Sequence, residues 1–410
     1  MFDVIKGKGS RPLVAALAVD MLGSGLFMPI SLLYFTAVTQ LPLTTVGLLL
    51  SVATISTLPV PIFIGYLVDK WNARNVVLIA QAVQAVGFAA YGWVSGPVTM
   101  LVVVVVVAVG QRIFWSSFFT VVAGLAEAGE ESRRNDQRFA LVGMVQAAGT
   151  GLGALISGLA VVDASVGTYQ LVAYANAVSF ALSALLMFRV PLAKKSSGTK
   201  EKAVGGYGVL LRDRPYLLLI GANTVFALCS VMVGIAVPVY LVKGLPGMGW
   251  LVGPLLAVNT LLLATGQGVV VKLARPLTRV RAMAVAGGLW VVWSVGFAFA
   301  LDVPQVVLVP YLLVSVAFYA AAELLHAPVS NALAAAAAPE HVRGRYLAMF
   351  QYCFTVANIV APTFFTALYA QGPALPWIVL GALAAVATIA MRLLEKRLPT
   401  DEPAEALATS

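Results

Sequence analysis

Asp20, Arg112, Glu323 and His326 are the side chains whose types and places in this sequence could do chemistry, because each interrupts a long apolar run. "VAALAVDMLGSGL" holds Asp20, "VVVVVAVGQRIFWSS" holds Arg112, and "AAAELLHAPVS" holds both Glu323 and His326. A charged side chain at the centre of a bilayer costs about 2.5–3.5 kcal/mol on insertion scales, so such residues are rare and usually face a cavity or a partner. A carboxyl group or an imidazole can take up and release protons, whereas a guanidinium stays charged. Asp20 stands in the first half of its run and Arg112 near the middle of its own, at depths close enough for long side chains to meet. Two readings stand. In one, the two form a fixed ion pair. In the other, Asp20 takes a proton and releases Arg112, which would couple proton entry to the exit of a solute. Desolvation favours the neutral acid and a nearby cation favours the carboxylate, so movement between those settings makes a proton switch. One proton entering down about 100 mV supplies roughly 2.3 kcal/mol.

Glu323 and His326 belong to a polar stripe of Ser315, Tyr319, Glu323, His326 and Ser330, whose spacings of 4, 4, 3 and 4 put all five on one helical face. The stripe reads as a cavity wall for a cationic or polar solute or a second proton site. Equally, it reads as a hydrogen-bonded pair packed on a neighbouring helix. Tyr34, Trp115, Phe119, Phe226, Tyr319 and Asn358 join Glu323 as candidate cavity residues. Aromatic walls suit apolar or cationic organic solutes, although packing is an equally open role for each ring.

The elements that must position these residues are membrane-spanning helices. The chain is 60% hydrophobic and 10% charged, against about 45–50% apolar for a soluble domain. Apolar runs of about 18 or more residues read as spanning helices. Barrel strands would alternate apolar and polar residues over about ten positions, and these runs do not. The spans are expected at 12–38, 43–68, 75–95, 98–124, 137–162, 168–190, 215–242, 248–271, 280–301, 304–334, 345–370 and 374–394, twelve in all. If the N-terminus is cytoplasmic, every Lys and Arg except Lys243 and Arg112 falls in a cytoplasmic segment. That asymmetry predicts cytoplasmic N- and C-termini in a multi-pass protein of the inner membrane. It also assigns the net charge of +9 to the lipid surface rather than to nucleic acid. No cleavable signal is expected, since the first run is longer than an h-region and carries Asp20.

The sequence argues against enzymatic, ATP-driven and metal-bound function. Two histidines give no His-rich metal set, no GxxxxGK[ST] segment is present, and no serine–histidine–acid arrangement is evident. Cys229 and Cys353 lie inside spans and read as small core residues. No cofactor is expected.

The longest polar interval, 191–214, is rich in Gly, Ser and Lys and reads as a cytoplasmic linker. It separates a six-helix half at 1–190 from a second at 215–396, with a polar tail at 397–410 expected to be disordered. "RFALVGMVQ" (138–146) and "RGRYLAMFQ" (343–351) open the fifth and eleventh spans with Arg, Met and Gln in register. Paired halves with a midplane site are a transporter architecture. On that ground alone a lipid translocase or a membrane enzyme would also fit.

"GYLVDKWNARNVVL" (65–78) makes the reading specific. It resembles the signature loop of the major facilitator superfamily, with Gly65, Leu67, Asp69, Lys70, Arg74 and Leu78 matching. Asn72 stands where the pattern has Gly, and Ala73 where it has a basic residue. "VDMLGSGLFMPI" (19–30) is similar to the first-helix pattern of the drug:proton antiporter branch. "GTGLGALISG" (149–158) resembles that branch's fifth-helix motif through Gly149, Gly153 and Gly158, with Ala154 in place of Pro and Ser157 in place of Gly. The resemblance implies an all-α fold of twelve transmembrane helices in two pseudo-symmetric six-helix bundles. It implies a secondary transporter working by alternating access, with proton-coupled efflux of small amphipathic organic compounds as the expected activity. A proton-coupled nutrient symporter or a lipid translocase is the alternative. It further implies that Asp69 latches a cytoplasmic gate against the start of the eleventh helix near Arg345, with Gly65, Lys70 and Arg74 shaping the loop. Arg112 sits about where the family keeps an embedded arginine, and Gly149, Gly153 and Gly158 are read as helix-packing positions. The expected partners are a small-molecule substrate, protons and membrane lipids, for a monomeric protein that binds no nucleic acid.

Overall fold

Proline explains the departures from simple apolar rods. In a computed structural model of the chain, which describes residues 10–124, 131–163, 165–191, 210, 212–274, 276–339 and 343–395, the first crossing is α1 (Ser10–Phe27) and α2 (Ser31–Thr39). A single 3-10 turn at Met28–Ile30, containing Pro29, joins them. The second expected span is divided: α3 (Leu43–Ser56) stops at a turn, and α4 (Val60–Trp71) restarts with Pro59 at its N-cap and Pro61 in its first turn. Proline lacks the N–H that an uninterrupted helix needs and its ring crowds the preceding turn, so the chain breaks there. The Thr57 hydroxyl and backbone N–H both bond the Thr54 carbonyl, closing the end of α3.

The remaining helices follow the apolar pattern. They are α5 (Ala73–Ala90), α6 (Pro97–Gly124), α7 (Glu131–Asp163), α8 (Val166–Met187), α9 (Arg214–Val239), α10 (Val252–Ala274), α11 (Arg279–Phe299), α12 (Gln305–Ala337), α13 (Arg343–Tyr369) and α14 (Leu375–Leu394). Among the described residues, eleven segments are long and apolar enough to cross a membrane, and α3 is a shorter apolar helix beside them. The protein is therefore an all-helical, multi-pass membrane protein, and the twelve expected spans correspond to those eleven segments and the divided pair α3–α4. Most of the expected linker, and the tail, lie outside the described residues.

Two compact units divide the chain. The first takes its described residues from 1–199 and 247–257, the second from 200–246 and 258–410. In the first, α1 packs on α7 and α8, and α5 on α6 and α8. The α1–α7 crossing is close enough to need glycine. A Cβ placed on Gly153 would lie 2.3 Å from the Leu22 carbonyl oxygen, and one on Gly25 would lie 2.3 Å from that of Thr150. One on Gly149 would meet the Met21 Cβ at 2.8 Å. Gly158 abuts Gly253 in the same manner, at 2.3 Å from its Cα. Small residues of this kind let helix backbones approach in a membrane, where lipid gives no hydrophobic drive to association.

The second unit has an aromatic core. There α11 packs on α12 and α14, and α9 on α13 and α14. Trp290, Trp293, Phe297 and Trp377 are fully or almost fully buried. Trp377 contacts Trp293, Phe297 and Tyr240 at ring-centroid distances of 5.4, 4.7 and 5.4 Å. Asp213 caps α9 by accepting from the Tyr216 N–H at 3.1 Å, and Tyr346 donates to the same carboxylate at 3.2 Å.

Candidate functional site

The first unit buries Asp20 among neutral polar groups from three helices. Asp20 on α1 is 2% exposed, and Gln81 on α5 and Ser183 on α8 are wholly buried. Gln81 Nε2 donates to Asp20 Oδ2 at 3.3 Å and also to Ser183 Oγ. The Ser183 hydroxyl donates to the Ala16 carbonyl, one turn before Asp20, at 2.8 Å. Gln84, Asn176 and Ser179 extend the buried polar set on α5 and α8. Among the described residues Asp20 has no ion pair, so the expected meeting with Arg112 is not what this structure holds. Asp20 turns instead to α5, where Gln81 bonds it, although α1 and α6, which carries the half-buried Arg112, share one hydrophobic cluster. Equal depth along two helices does not make two side chains face each other.

Sequence reasoning passed over Gln81, Gln84, Asn176, Ser179 and Ser183. The signal was present: Gln81 and Gln84 lie three apart on α5, and Asn176, Ser179 and Ser183 lie three and four apart on α8. Each set is a polar stripe on one helical face inside an apolar span.

In the second unit the polar stripe of α12 is turned inward. Ser315, Tyr319, His326 and Ser330 are buried. His326 Nε2 is 2.8 Å from Asn223 Oδ1 on α9, and the ring is edge-on to Trp290 and Phe226 at 5.0 and 5.9 Å. His326 thus has its hydrogen bond on α9 and its ring among aromatic neighbours. Tyr319 donates to the Ser230 carbonyl at 2.6 Å and lies 4.9 Å from Trp293. Glu323 has the Ser230 side chain as its polar neighbour, and its Oε2 is buried without a hydrogen-bond partner. Glu323 and His326 thus share a face yet have different partners on α9.

The expected cavity residues separate into two groups. Tyr34 and Phe226 are wholly buried inside their own units. Tyr34 donates to the Tyr91 carbonyl at 2.9 Å within a cluster that includes Phe27 and Phe35, and Phe226 leans on Trp290 at 5.5 Å. Aromatic residues placed this way pack a core rather than line an open wall. Trp115 is half-buried, its ring tilted against the exposed Phe119 at 5.8 Å, and Asn358 is exposed with its amide bonded back to the Phe354 carbonyl.

At the loop after α4, the side chain of Asp69, together with Gly65, lies outside the described residues. Asn72 adopts φ 71°, a conformation that favours glycine, and its side chain accepts from the Arg74 N–H at 3.2 Å. It therefore serves as both turn residue and N-cap of α5. Arg74 reaches the end of α8, donating to the Val190 carbonyl at 2.8 Å and to Asn75 Oδ1 at 3.3 Å. A cation on the carbonyls that follow a helix C-terminus is favourable in both hydrogen bonding and dipole. Lys70 is exposed, and with Trp71, Asn75 and Ile79 it lines an open surface groove. Arg345 is half-buried in the first turn of α13.

Comparison with known proteins agrees with this architecture. The family model described as Major Facilitator Superfamily matches residues 13–325. A curated relative, the "Na(+), Li(+), K(+)/H(+) antiporter" of Planococcus maritimus, is 21% identical over 347 residues, covering 77% of this chain and 79% of that protein. The solved structure of the nucleoside transporter NupG superposes with a TM-score of 0.78 at 13% identity, covering 94% of this chain and 98% of NupG. A bacterial homologue of the human lysosomal transporter Spinster gives 0.72 at 13% identity, covering 96% and 98%. The peptide transporter POT, solved with sulfate, gives 0.73 at 14% identity, covering 95% of each chain. At such identities these structures are alike in fold. The matched model, the eleven apolar segments and the shared fold lead to one conclusion: the chain belongs to the Major Facilitator Superfamily, as a multi-pass transporter and not an enzyme.

Proposed function

We propose that the protein is a proton-coupled antiporter that exports small amphipathic or cationic solutes by alternating access. It would sit in the inner membrane with both termini cytoplasmic. The observation that carries this reading is an acid in each unit, the buried Asp20 and the half-buried Glu323 with its enclosed Oε2, with neutral polar neighbours and no ion pair among the described residues. A buried carboxylate without a counter-charge is costly, so such a group is held either with a proton or against a cation. That alternation is what exchange of a proton for a cationic solute requires. The relative from Planococcus maritimus, whose name gives alkali cations exchanged for protons, supports antiport and favours alkali cations as a second class of solute.

On this reading Asp20 is the first proton site and Glu323 the second. His326, bonded to Asn223, and Arg112 on α6 are the other proposed members of the coupling set. Tyr319, Trp115, Phe119 and Asn358 remain the proposed solute contacts. The loop at 65–74, with Asp69, Lys70 and Arg74, and Arg345 remain the proposed gate.

The test uses purified protein in proteoliposomes holding a pH-sensitive dye. A lipophilic cationic dye or an alkali salt added on one side should draw protons out to that same side, against the direction of the solute. Protons moving with the solute would establish symport and end this reading.

A further inference from the structure

Gln81 and Ser183, the two side chains networked to Asp20, have spent their donors and kept acceptors. Gln81 Nε2 serves both Asp20 and Ser183, and the Ser183 hydroxyl serves the Ala16 carbonyl. The Gln81 carbonyl oxygen is buried and has no partner. What is left over, in a place wholly closed to solvent, is a carboxylate and an amide oxygen. Such a remainder accepts hydrogen bonds or coordinates a cation, and it offers nothing to an anion.

We infer that Asp20, Gln81 and Ser183 form a binding site for a monovalent alkali cation, which competes with a proton for Asp20. The inference deepens the antiport reading and rests on it only in taking Asp20 as the protonated group. Three features set the ligand class. All the available ligand atoms are oxygens, which suits hard cations and not thiophilic or imidazole-seeking metals. The set contains one carboxylate, so a monovalent ion leaves the buried site neutral, whereas a divalent ion would leave an uncompensated positive charge. Finally, the planar amide of Gln81 exchanges the places of its nitrogen and oxygen by one side-chain rotation. With the NH2 toward Asp20 the site holds a bare carboxylate; with the oxygen toward it, Gln81 accepts from a protonated Asp20 or coordinates the ion beside it. Ser183 can follow, since a hydroxyl both donates and accepts.

Among the described residues, no other titrating group bonds Asp20, Gln81 or Ser183. Arg11 stands at the start of α1, Arg74 at the start of α5 bonds the carbonyl of Val190, and the charges of α7 lie at its two ends. On α8, Tyr169 and Tyr174 lie in the half of the helix remote from Ser183, and Arg112 is on α6. Asp20 is therefore the group through which acid would displace the ion.

The experiment is equilibrium binding of radioactive sodium to the full-length purified protein in sodium-free buffer across a pH series. The wild type should bind sodium, and acid should displace it competitively. Gln81→Leu should weaken binding by roughly tenfold or more, as expected for loss of one charge-assisted contact. Gln81→Glu, which keeps an oxygen at that position and adds a second carboxylate, should still bind sodium and should gain binding of a divalent ion, which also shows that the site tolerates substitution. Glu395→Gln, which removes an acid only from the surface pair with Arg281, should leave sodium binding unchanged. Absence of binding in the wild type, wild-type affinity in Gln81→Leu, or loss in Glu395→Gln in place of Gln81→Leu would each overturn the inference. If the wild type binds no sodium but still exchanges protons for an organic cation, the cation site is refuted and antiport stands. If it binds sodium but moves no protons, antiport is refuted and the site stands.

Discussion

Replacement of Gly153 by alanine tests the α1–α7 crossing, because the structure gives both the sign and the cause of the effect. The new Cβ would lie 2.3 Å from the Leu22 carbonyl oxygen, 2.6 Å from the Leu26 nitrogen and 2.7 Å from the Gly25 carbonyl carbon. All three atoms are backbone of α1, so no side-chain rotation relieves the clash and the helix itself must shift. Overpacking of this kind costs about 1–3 kcal/mol, occasionally more. Alanine's better helix propensity returns about 0.8–1.0 kcal/mol, so the net change is destabilising. Gly143 on the same helix is the control: it is exposed, and a Cβ there meets nothing within 4 Å. Gly143→Ala should be neutral or stabilising. The assay is thermal unfolding of detergent-purified protein, followed by tryptophan fluorescence. A change of 1 kcal/mol moves the midpoint by about 2–4 °C in a domain of 150–250 residues. Gly153→Ala should fall by that order or more, while Gly143→Ala holds or rises. Equal midpoints for the two variants would refute the close crossing.

Other substitutions probe separate parts of the structure. Asn72→Gly should preserve the turn at φ 71°, whereas Asn72→Val should cost about 1–3 kcal/mol in strain, visible as a lower unfolding midpoint and a slower transport rate. Tyr34→Phe should cost about 0.5–1.5 kcal/mol for the lost bond to the Tyr91 carbonyl, which keeps its bond from the Val94 N–H. Its transport KM should stay unchanged, and a raised KM would put Tyr34 in contact with substrate. Arg281→Ala removes a solvent-exposed pair with Glu395 and should change stability by about 0–1 kcal/mol; a larger drop in the unfolding midpoint would show that the pair does more than a surface contact does.

Hydropathy made the crossings legible because a bilayer imposes length and composition on every helix alike. It missed the break at Thr57–Pro59, since a window average is insensitive to two prolines that leave the apolar content high. The stripe of Tyr319, Glu323 and His326 was legible as a face through its helical period. What that face meets was not, because periodicity gives an angle about one axis and says nothing of the neighbour. Pairing Asp20 with Arg112 had the same gap: charge and depth agreed, but neither shows which neighbour a side chain meets, and Asp20 meets Gln81. Gln81 and Ser183 escaped notice because neutral polar residues attract less attention than charges, although in an apolar medium they are the groups that most need partners. Asn72 was legible as the turn residue but its backbone was not: at φ 71° and ψ 140° it lies outside the left-handed helical region that Asn ordinarily tolerates.

Proton coupling through the two acids is tested most directly by substrate-dependent proton flux in proteoliposomes of wild-type, Asp20→Asn and Glu323→Gln protein at matched reconstitution. The account predicts flux in the wild type on addition of solute, none in Asp20→Asn, and a reduced rate in Glu323→Gln, with all three unfolding at similar temperatures. Wild-type flux in both variants would contradict it.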